Sequence, residues 1–107
     1  MKRYLALDMG AESGRLMAVS IDKEISTQEI HRFQTPVKMD SRNRRCWDFP
    51  KIIEEVVIAL TKASSTGSYE GLAVDTWGLD FGLVDQDGQI IEMPVSHRDH
   101  RTDGMLA

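Results

Sequence analysis

The stretch Tyr4 to Arg15, YLALDMGAESGR, sets the tightest limit on what this chain folds into. Tyr4, Leu5, Ala6 and Leu7 make a short apolar run of strand length, and the run closes on Asp8. A carboxylate ending a buried strand has to face water, a metal or hydrogen-bond donors, because burying it unpaired is costly. Gly10 and Gly14 bracket Ala11, Glu12 and Ser13, so the backbone is able to turn tightly and present N–H groups with few side chains in the way. Leu16 to Ile21 then resumes as a second strand-like run. This order predicts two antiparallel strands joined by a turn that is either an ordinary hairpin loop or an anion cradle. Neither the P-loop spacing G-x-x-x-x-G-K-[ST] nor the dinucleotide spacing G-x-G-x-x-G is present, and both would open a helix at this point.

Asp22-Lys23-Glu24 is a polar turn, and Ile25 to Phe33 continues with apolar residues at Ile30 and Phe33. Tyr4 to Phe33 is therefore expected as a three-stranded antiparallel meander. Pro36 ends it. Lys38 to Arg45 reads as a polar connection in which Arg42, Arg44 and Arg45 either touch a phosphate or, the usual fate of a charge run in a loop, are only solvated, and the solvated reading is favoured. A helix is expected near Pro50 to Ser64, with Asp48 as its cap and Glu54 and Glu55 near the positive end of its dipole. Ile53, Val56, Val57, Leu60 and Ala63 repeat at three and four residues and predict one apolar stripe against the sheet. Leu72 to Thr76 follows as a strand parallel to the first and buried on both faces. Leu79 to Val84 and Gln89 to Met93 flank Asp85-Gln86-Asp87-Gly88 and predict a hairpin.

Ligands of open α/β sheets collect beyond the carboxyl ends of parallel strands, which makes Asp8 and Asp75 comparable positions. Either acid is equally able to cap a neighbouring loop. His97-Arg98-Asp99 invites comparison with the protein-kinase catalytic loop, but Gly104 stands where that loop requires Asn. Zinc held by His97, Asp99 and His100 is disfavoured, since three ligands within four residues do not easily surround a tetrahedral ion.

The chain has 107 residues, enough for one small domain burying roughly two-thirds of its unfolded surface. Its net charge of −4 offers no electrostatic reason to expect nucleic acid or an anionic membrane as partner. Apolar runs stay far short of the roughly 20 residues that span a bilayer, and Asp8 interrupts the run after Met1-Lys2-Arg3 before it resembles a targeting segment. Cys46 is the single cysteine, which rules out an intramolecular disulfide and fits a reducing cytoplasm.

Asp8, Gly10, Ala11, Ser13, Gly14 and Arg15 spell D-x-G-A-x-S-G-R directly after the first strand. This resembles the first phosphate motif of the FGGY carbohydrate kinases, within the actin-like ATPase superfamily. The resemblance extends over Val74 to Phe81, Leu83 to Asp85, Gly88, Pro94 and His97 to Thr102, and Thr76-Trp77-Gly78 is similar to the rhamnulokinase branch in particular. It implies an α/β fold, the amino-terminal domain of an actin-like ATPase (ribonuclease H-like), with a mixed sheet. It also implies ATP on Asp8, Gly10, Ala11, Glu12, Ser13, Gly14 and Arg15, and magnesium positioned by Asp8 through water. Gly78, Trp77, Asp80 and Asp99 would face the sugar, and the reaction implied is phosphoryl transfer from MgATP to the 1-hydroxyl of L-rhamnulose.

The resemblance covers about the first quarter of a family member and places the catalytic base, an Asp, beyond Ala107. Residues 1–107 are accordingly expected to be part of an amino-terminal kinase domain, inactive alone. Glu12 departs from the pattern and is tolerable in a phosphate loop only if it points toward solvent. Two rival expectations remain: another ketose kinase of the family, such as a fuculokinase or xylulokinase, or a non-catalytic domain that associates with itself.

Overall fold

The computed structural model describes residues 1–105, which divide into two compact units, 1–35 with 53–77 and 36–52 with 78–105. The first unit is a four-stranded sheet and most of a helix. Strands β1 (Lys2–Met9), β2 (Ser13–Ile21) and β3 (Ile25–Gln34) form the expected antiparallel meander. The second unit opens with two short strands, β4 (Val37–Met39) and β5 (Arg45–Trp47), paired antiparallel. Helix α1 (Phe49–Ser64) follows, then β6 (Leu72–Asp75), which pairs parallel to β1 and completes the order β3-β2-β1-β6.

Alternation along β1 decides which residues meet the helix. Leu5 and Leu7 on β1 and Leu16 on β2 bury against Ala59 and Ala63, with Met9, Ile30, Val56, Leu60 and Tyr69 packed around them. Ala59 and Ala63 are four residues apart, so they fall on one helix face, and their short side chains let that face approach the leucines closely. Arg3 fastens the far end: its guanidinium donates to the Thr66 carbonyl at 3.1 Å and to the Tyr69 hydroxyl at 2.9 Å, and lies 4.5 Å from the Tyr69 ring centroid. His31 on β3 adds a lateral tie, its Nε2 2.7 Å from Glu55 Oε2 and its Nδ1 2.8 Å from Lys62 Nζ.

Several expectations are revised. Ile53 and Val57 do not join the sheet-facing stripe; they are 46% and 57% exposed, and with Ile58 they lie off the face that carries Val56, Ala59, Leu60 and Ala63. The repeat at three and four residues is satisfied by two neighbouring stripes, and the close approach available to alanine selects between them. Glu54 and Glu55 lie beyond the first turn of α1, and Glu55 is engaged by His31 instead. Asp48 does stand before the helix, its Oδ1 3.4 Å from the Lys51 N–H. Strand β6 is not buried on both faces: Leu72 and Val74 are 47% and 57% exposed, because among the described residues β6 is an edge with β1 as its one neighbour.

In the second unit, Lys38 to Arg45 is not merely a solvated connection but the end of the β4–β5 hairpin. The hairpin turn at 85–88 forms, with Asp85 Oδ1 accepting from Asp87 and Gln89 N–H at 2.9 Å each and Gly88 at φ 78°. Its flanks pair only through the Val84–Ile90 bridge. Leu83, Val84 and Ile91 remain exposed there, and an isolated two-stranded ribbon with no buried face gains little from extending its ladder. Segment 94–96 instead lines up beside β5: Trp47 N–H donates to the Pro94 carbonyl at 2.8 Å and Ser96 N–H to the Arg45 carbonyl at 2.8 Å. Cys46 is enclosed there, and burial first of all, with Asp40 nearby, pushes its thiol up from the ordinary range.

Two stability tests follow from this packing. Leu16 is fully buried, so Leu16→Ala is expected to cost about 2–5 kcal/mol in a urea melt, whereas Val57→Ser stays within about 0.5 kcal/mol. Equal losses would contradict the assignment of the sheet-facing stripe. Gly14 lies under the Phe33 ring, where an added Cβ would overlap it. Gly14→Val is thus expected to cost about 1–3 kcal/mol, and most of that loss should vanish when Phe33→Ala is the background.

Candidate functional site

Residues 8–15 in the first unit are held by Thr35, which follows β3. The Thr35 N–H donates to the Glu12 carbonyl at 2.9 Å, and its Oγ1 donates to the Gly10 carbonyl at 2.7 Å. Among the described residues there is no cis peptide bond, and a trans peptide sets its N–H opposite its carbonyl. With the carbonyls of Gly10 and Glu12 turned onto Thr35, the N–H groups of Ala11 and Ser13 point to the other side of the loop. Donors gathered on one side of a short fixed loop are the element of an anion-binding concavity. Gly10 N–H closes the turn onto the Ser13 carbonyl at 2.9 Å.

The two glycines act differently from the sequence expectation. Gly14 does not shape the turn; it sits within β2 opposite Met9, and its missing side chain accommodates the Phe33 ring. Gly10 is at the turn itself, with space for a Cβ only at 3.0 Å from the Ser13 carbonyl oxygen. The Glu12 residue is exposed, as a phosphate loop requires of an acid at that position, although its side chain is not without partners.

Asp8 pairs in register with Arg15 on β2 and with Asp75 on β6. In-register partners project to the same face of a sheet, so these three lie on the face opposite Leu5, Leu7 and α1. Arg15 Nε donates to Asp8 Oδ2 at 3.2 Å, and with the side chains 44% and 47% exposed this pair adds little to stability. Asp75 was comparable to Asp8 in the sequence by its strand-end position; the register makes them neighbours. Two carboxylates side by side, open to solvent, suit a magnesium ion that keeps most of its waters and takes the rest of its shell from phosphate. Among the described residues no cluster of three or more His, Cys, Asp or Glu side chains is gathered as a metal cage. Trp77 ends this unit, half-buried and engaged.

In the second unit, Asp80 is the organising acid. Its side chain is 8% exposed, and Oδ2 accepts from Trp47 Nε1 at 2.7 Å and lies 2.8 Å from His97 Nδ1. Trp47 is itself buried, and its ring lies 6.2 Å from that of His97. An ionised Asp80 accepts only from N–H, which assigns the proton of a neutral His97 to Nδ1 and leaves Nε2 as acceptor. Trp47 and His97 carried no local signal of this role, being 33 and 17 residues from Asp80. Asp99 turns its carboxylate onto backbone: Arg45 N–H at 2.8 Å and Arg101 N–H at 3.1 Å, capping a single turn of 3₁₀ helix at His100–Thr102. The Arg45 N–H is the chief reason that Asp99 is held below the usual carboxylate range. At Gly78 nothing lies within 4 Å of an added Cβ, and its φ is not left-handed, so neither packing nor backbone geometry within the chain demands glycine there.

No helix among the described residues is long and apolar enough to cross a membrane. No family model matches the chain. Among curated proteins, it is 40% identical over 105 residues to a rhamnulokinase from Mannheimia succiniciproducens, covering 94% of this chain and 22% of that protein. It is 36% identical over 110 residues to a rhamnulokinase from Pectobacterium carotovorum, covering 99% of this chain and again 22% of that protein. The chain thus spans about a fifth of the length of these relatives. Among solved structures, xylulose kinase from Rhodospirillum rubrum superposes with a TM-score of 0.73 at 16% identity, over 96% of this chain and 22% of that one. Gluconate kinase from Lactobacillus acidophilus gives a TM-score of 0.71 at 12% identity, over 92% of this chain and 20% of that one. By sequence the chain matches an amino-terminal portion of curated rhamnulokinases, and its fold is that of the FGGY carbohydrate kinases, an actin-like ATPase fold.

Proposed function

We propose that residues 1–107 form part of the amino-terminal domain of a cytoplasmic sugar kinase that transfers the γ-phosphate of ATP to the 1-hydroxyl of L-rhamnulose. The observation that carries this is the loop 10–13, whose Gly10 and Glu12 carbonyls are taken by Thr35 and whose Ala11 and Ser13 N–H groups therefore face away from Thr35, beside the paired acids Asp8 and Asp75. Such a loop binds terminal phosphate oxygens through backbone donors, with Arg15 adjacent as a cation. Asp8 and Asp75 would hold magnesium through its waters, and the ion when bound neutralises charge on the β- and γ-phosphate oxygens. Gly78, Asp80 and Asp99 in the second unit, and Trp77 in the first, are each proposed to face the sugar. Gly78 supports this by the open space at its Cα, which leaves room for a hydroxylated ligand against backbone. Asp80, kept in place by Trp47, would position His97 as well as the segment itself.

The chemistry requires donor, metal and acceptor to be held together, and well-oriented reactants contribute on the order of 7–11 kcal/mol of barrier lowering. The chain by itself is therefore expected to release no sugar-dependent ADP in a coupled assay. The decisive protein is a chimera in which residues 1–107 replace the matching portion of the Mannheimia succiniciproducens rhamnulokinase. It should release ADP with L-rhamnulose in preference to L-fuculose and D-xylulose. A folded but silent chimera would count against the proposal, and preference for another ketose would move the substrate within the family.

Within an active chimera, Asp8→Asn should lower kcat by about 10²-fold, the several kcal/mol that a metal ion contributes to such a transition state, with much less effect on sugar affinity. Gly78→Val should instead raise KM for the sugar and leave the melting temperature unchanged, since its side chain meets nothing in the fold. Equal losses of both parameters in Asp8→Asn, or an unaltered KM in Gly78→Val, would remove that residue from its role.

A further inference from the structure

The β4–β5 hairpin turns a run of like charge into a shaped surface. Asp40 closes it, accepting from the backbone N–H groups of Arg42 and Arg44 at 2.9 and 2.8 Å and from Arg44 Nε at 2.7 Å, while Asn43 takes the left-handed conformation at φ 56°. Arg44 is thereby committed, and its other nitrogen lies 3.5 Å from Glu92. Asp99 binds the segment 99–101 to the same hairpin through the backbone N–H groups of Arg45 and Arg101. Both acids thus direct their oxygens to backbone N–H groups and to Arg44. Among the described residues, the guanidinium groups of Arg42, Arg45 and Arg101 make no hydrogen bond or ion pair. They line, with Arg44, His100 and Asp99, a cleft of about 390 Å³.

A solvated face would let these long side chains spread apart to relieve their repulsion. Here the backbone ties made by Asp40 and Asp99 hold their Cα positions around one concavity, in a chain whose net charge is −4. Guanidinium forks match phosphate oxygens in pairs, and each charge-assisted hydrogen bond is shorter and stronger than a neutral one. The volume is at the lower end for small-ligand sites and exceeds what a simple halide needs. From this we infer that the cleft between the β4–β5 turn and residues 99–101 binds a small phosphomonoester dianion, with Arg42, Arg45 and Arg101 as its ligands. This site is distinct from the loop 10–13; it shares with the proposed sugar-facing segment only Asp99, whose oxygens accept from backbone, and it does not depend on the kinase proposal. Its minimal ligand is inorganic phosphate; a phosphorylated sugar would add contacts from the remainder of the cleft.

The test is an NMR titration of the 107-residue chain at physiological ionic strength, following the arginine Nε–H resonances. The probes are inorganic phosphate, D-fructose 1-phosphate and unphosphorylated fructose. Saturable shifts at Arg42, Arg45 and Arg101 with both phosphates and none with fructose are expected. Arg45→Gln and Arg101→Gln should each weaken binding by about tenfold, the loss of one charge-assisted contact. Both variants keep the backbone N–H groups that Asp99 uses, so both should fold. Arg45→Lys, which keeps the charge but not the fork, should also weaken it. Lys23→Gln, an equal change of net charge in the β2–β3 turn, should have no effect. Tighter binding of fructose 1-phosphate than of phosphate would mark the organic ester as the ligand, and equal affinities would mark recognition of the phosphate group alone. Shifts that never saturate, an equal loss with Lys23→Gln, or preferential binding of a single-stranded oligonucleotide would each overturn the inference.

Discussion

The packing of Ala59 and Ala63 onto Leu5, Leu7 and Leu16 is the contact on which the first unit depends. It assigns one face of the sheet to the helix and leaves the other to polar groups. Because strand side chains alternate with a period of two, burying Leu5 and Leu7 places Asp8 on the opposite face without further instruction. The same rule puts Arg15 and Asp75 there, since each is the in-register partner of Asp8. A shift of β6 by one residue would bring Val74 beside Asp8 and turn Asp75 toward the helix side. The juxtaposition of two acids is therefore a consequence of core packing.

A comparable economy holds in the second unit, where two buried or backbone-bonded acids do the positioning. Asp80 collects the Trp47 indole and the His97 imidazole, and Asp99 collects backbone donors from two segments. Removing the carboxylate from Asp80 would leave the buried Trp47 Nε1–H without this acceptor, a cost of about 1–3 kcal/mol for an unsatisfied donor. Such acids combine two tasks: they order the segment that presents a functional group, and they determine which of its atoms remains available.

Much of the fold was legible because its signals are local. The meander over Tyr4 to Phe33, the helix ending at Ser64 and the strand starting at Leu72 follow from apolar runs, polar turns and helical periodicity. Of the repeat Ile53, Val56, Val57, Leu60 and Ala63, only Ile53 and Val57 fall outside the buried face, because periodicity identifies apolar faces without saying which one meets a sheet. The β4–β5 hairpin was missed for a different reason: its closure rests on the Asp40 carboxylate and on pairing of residues eight or so apart, where charge masked the strand pattern.

The amino-acid sequence alone determined the family resemblance and the residues of the proposed phosphate loop, since D-x-G-A-x-S-G-R and Thr76-Trp77-Gly78 are contiguous strings whose spacing survives without a fold. It also determined that an acid closes each of two strands. Only the tertiary structure decided that Thr35 takes the loop carbonyls, that Gly14 serves Phe33, that Asp80 holds Trp47 and His97, and that three arginines share one cleft. Each of these joins residues far apart in the chain or sets a side chain's direction. Local composition carries no record of such pairings, because they arise from strand register and from which face the core claims.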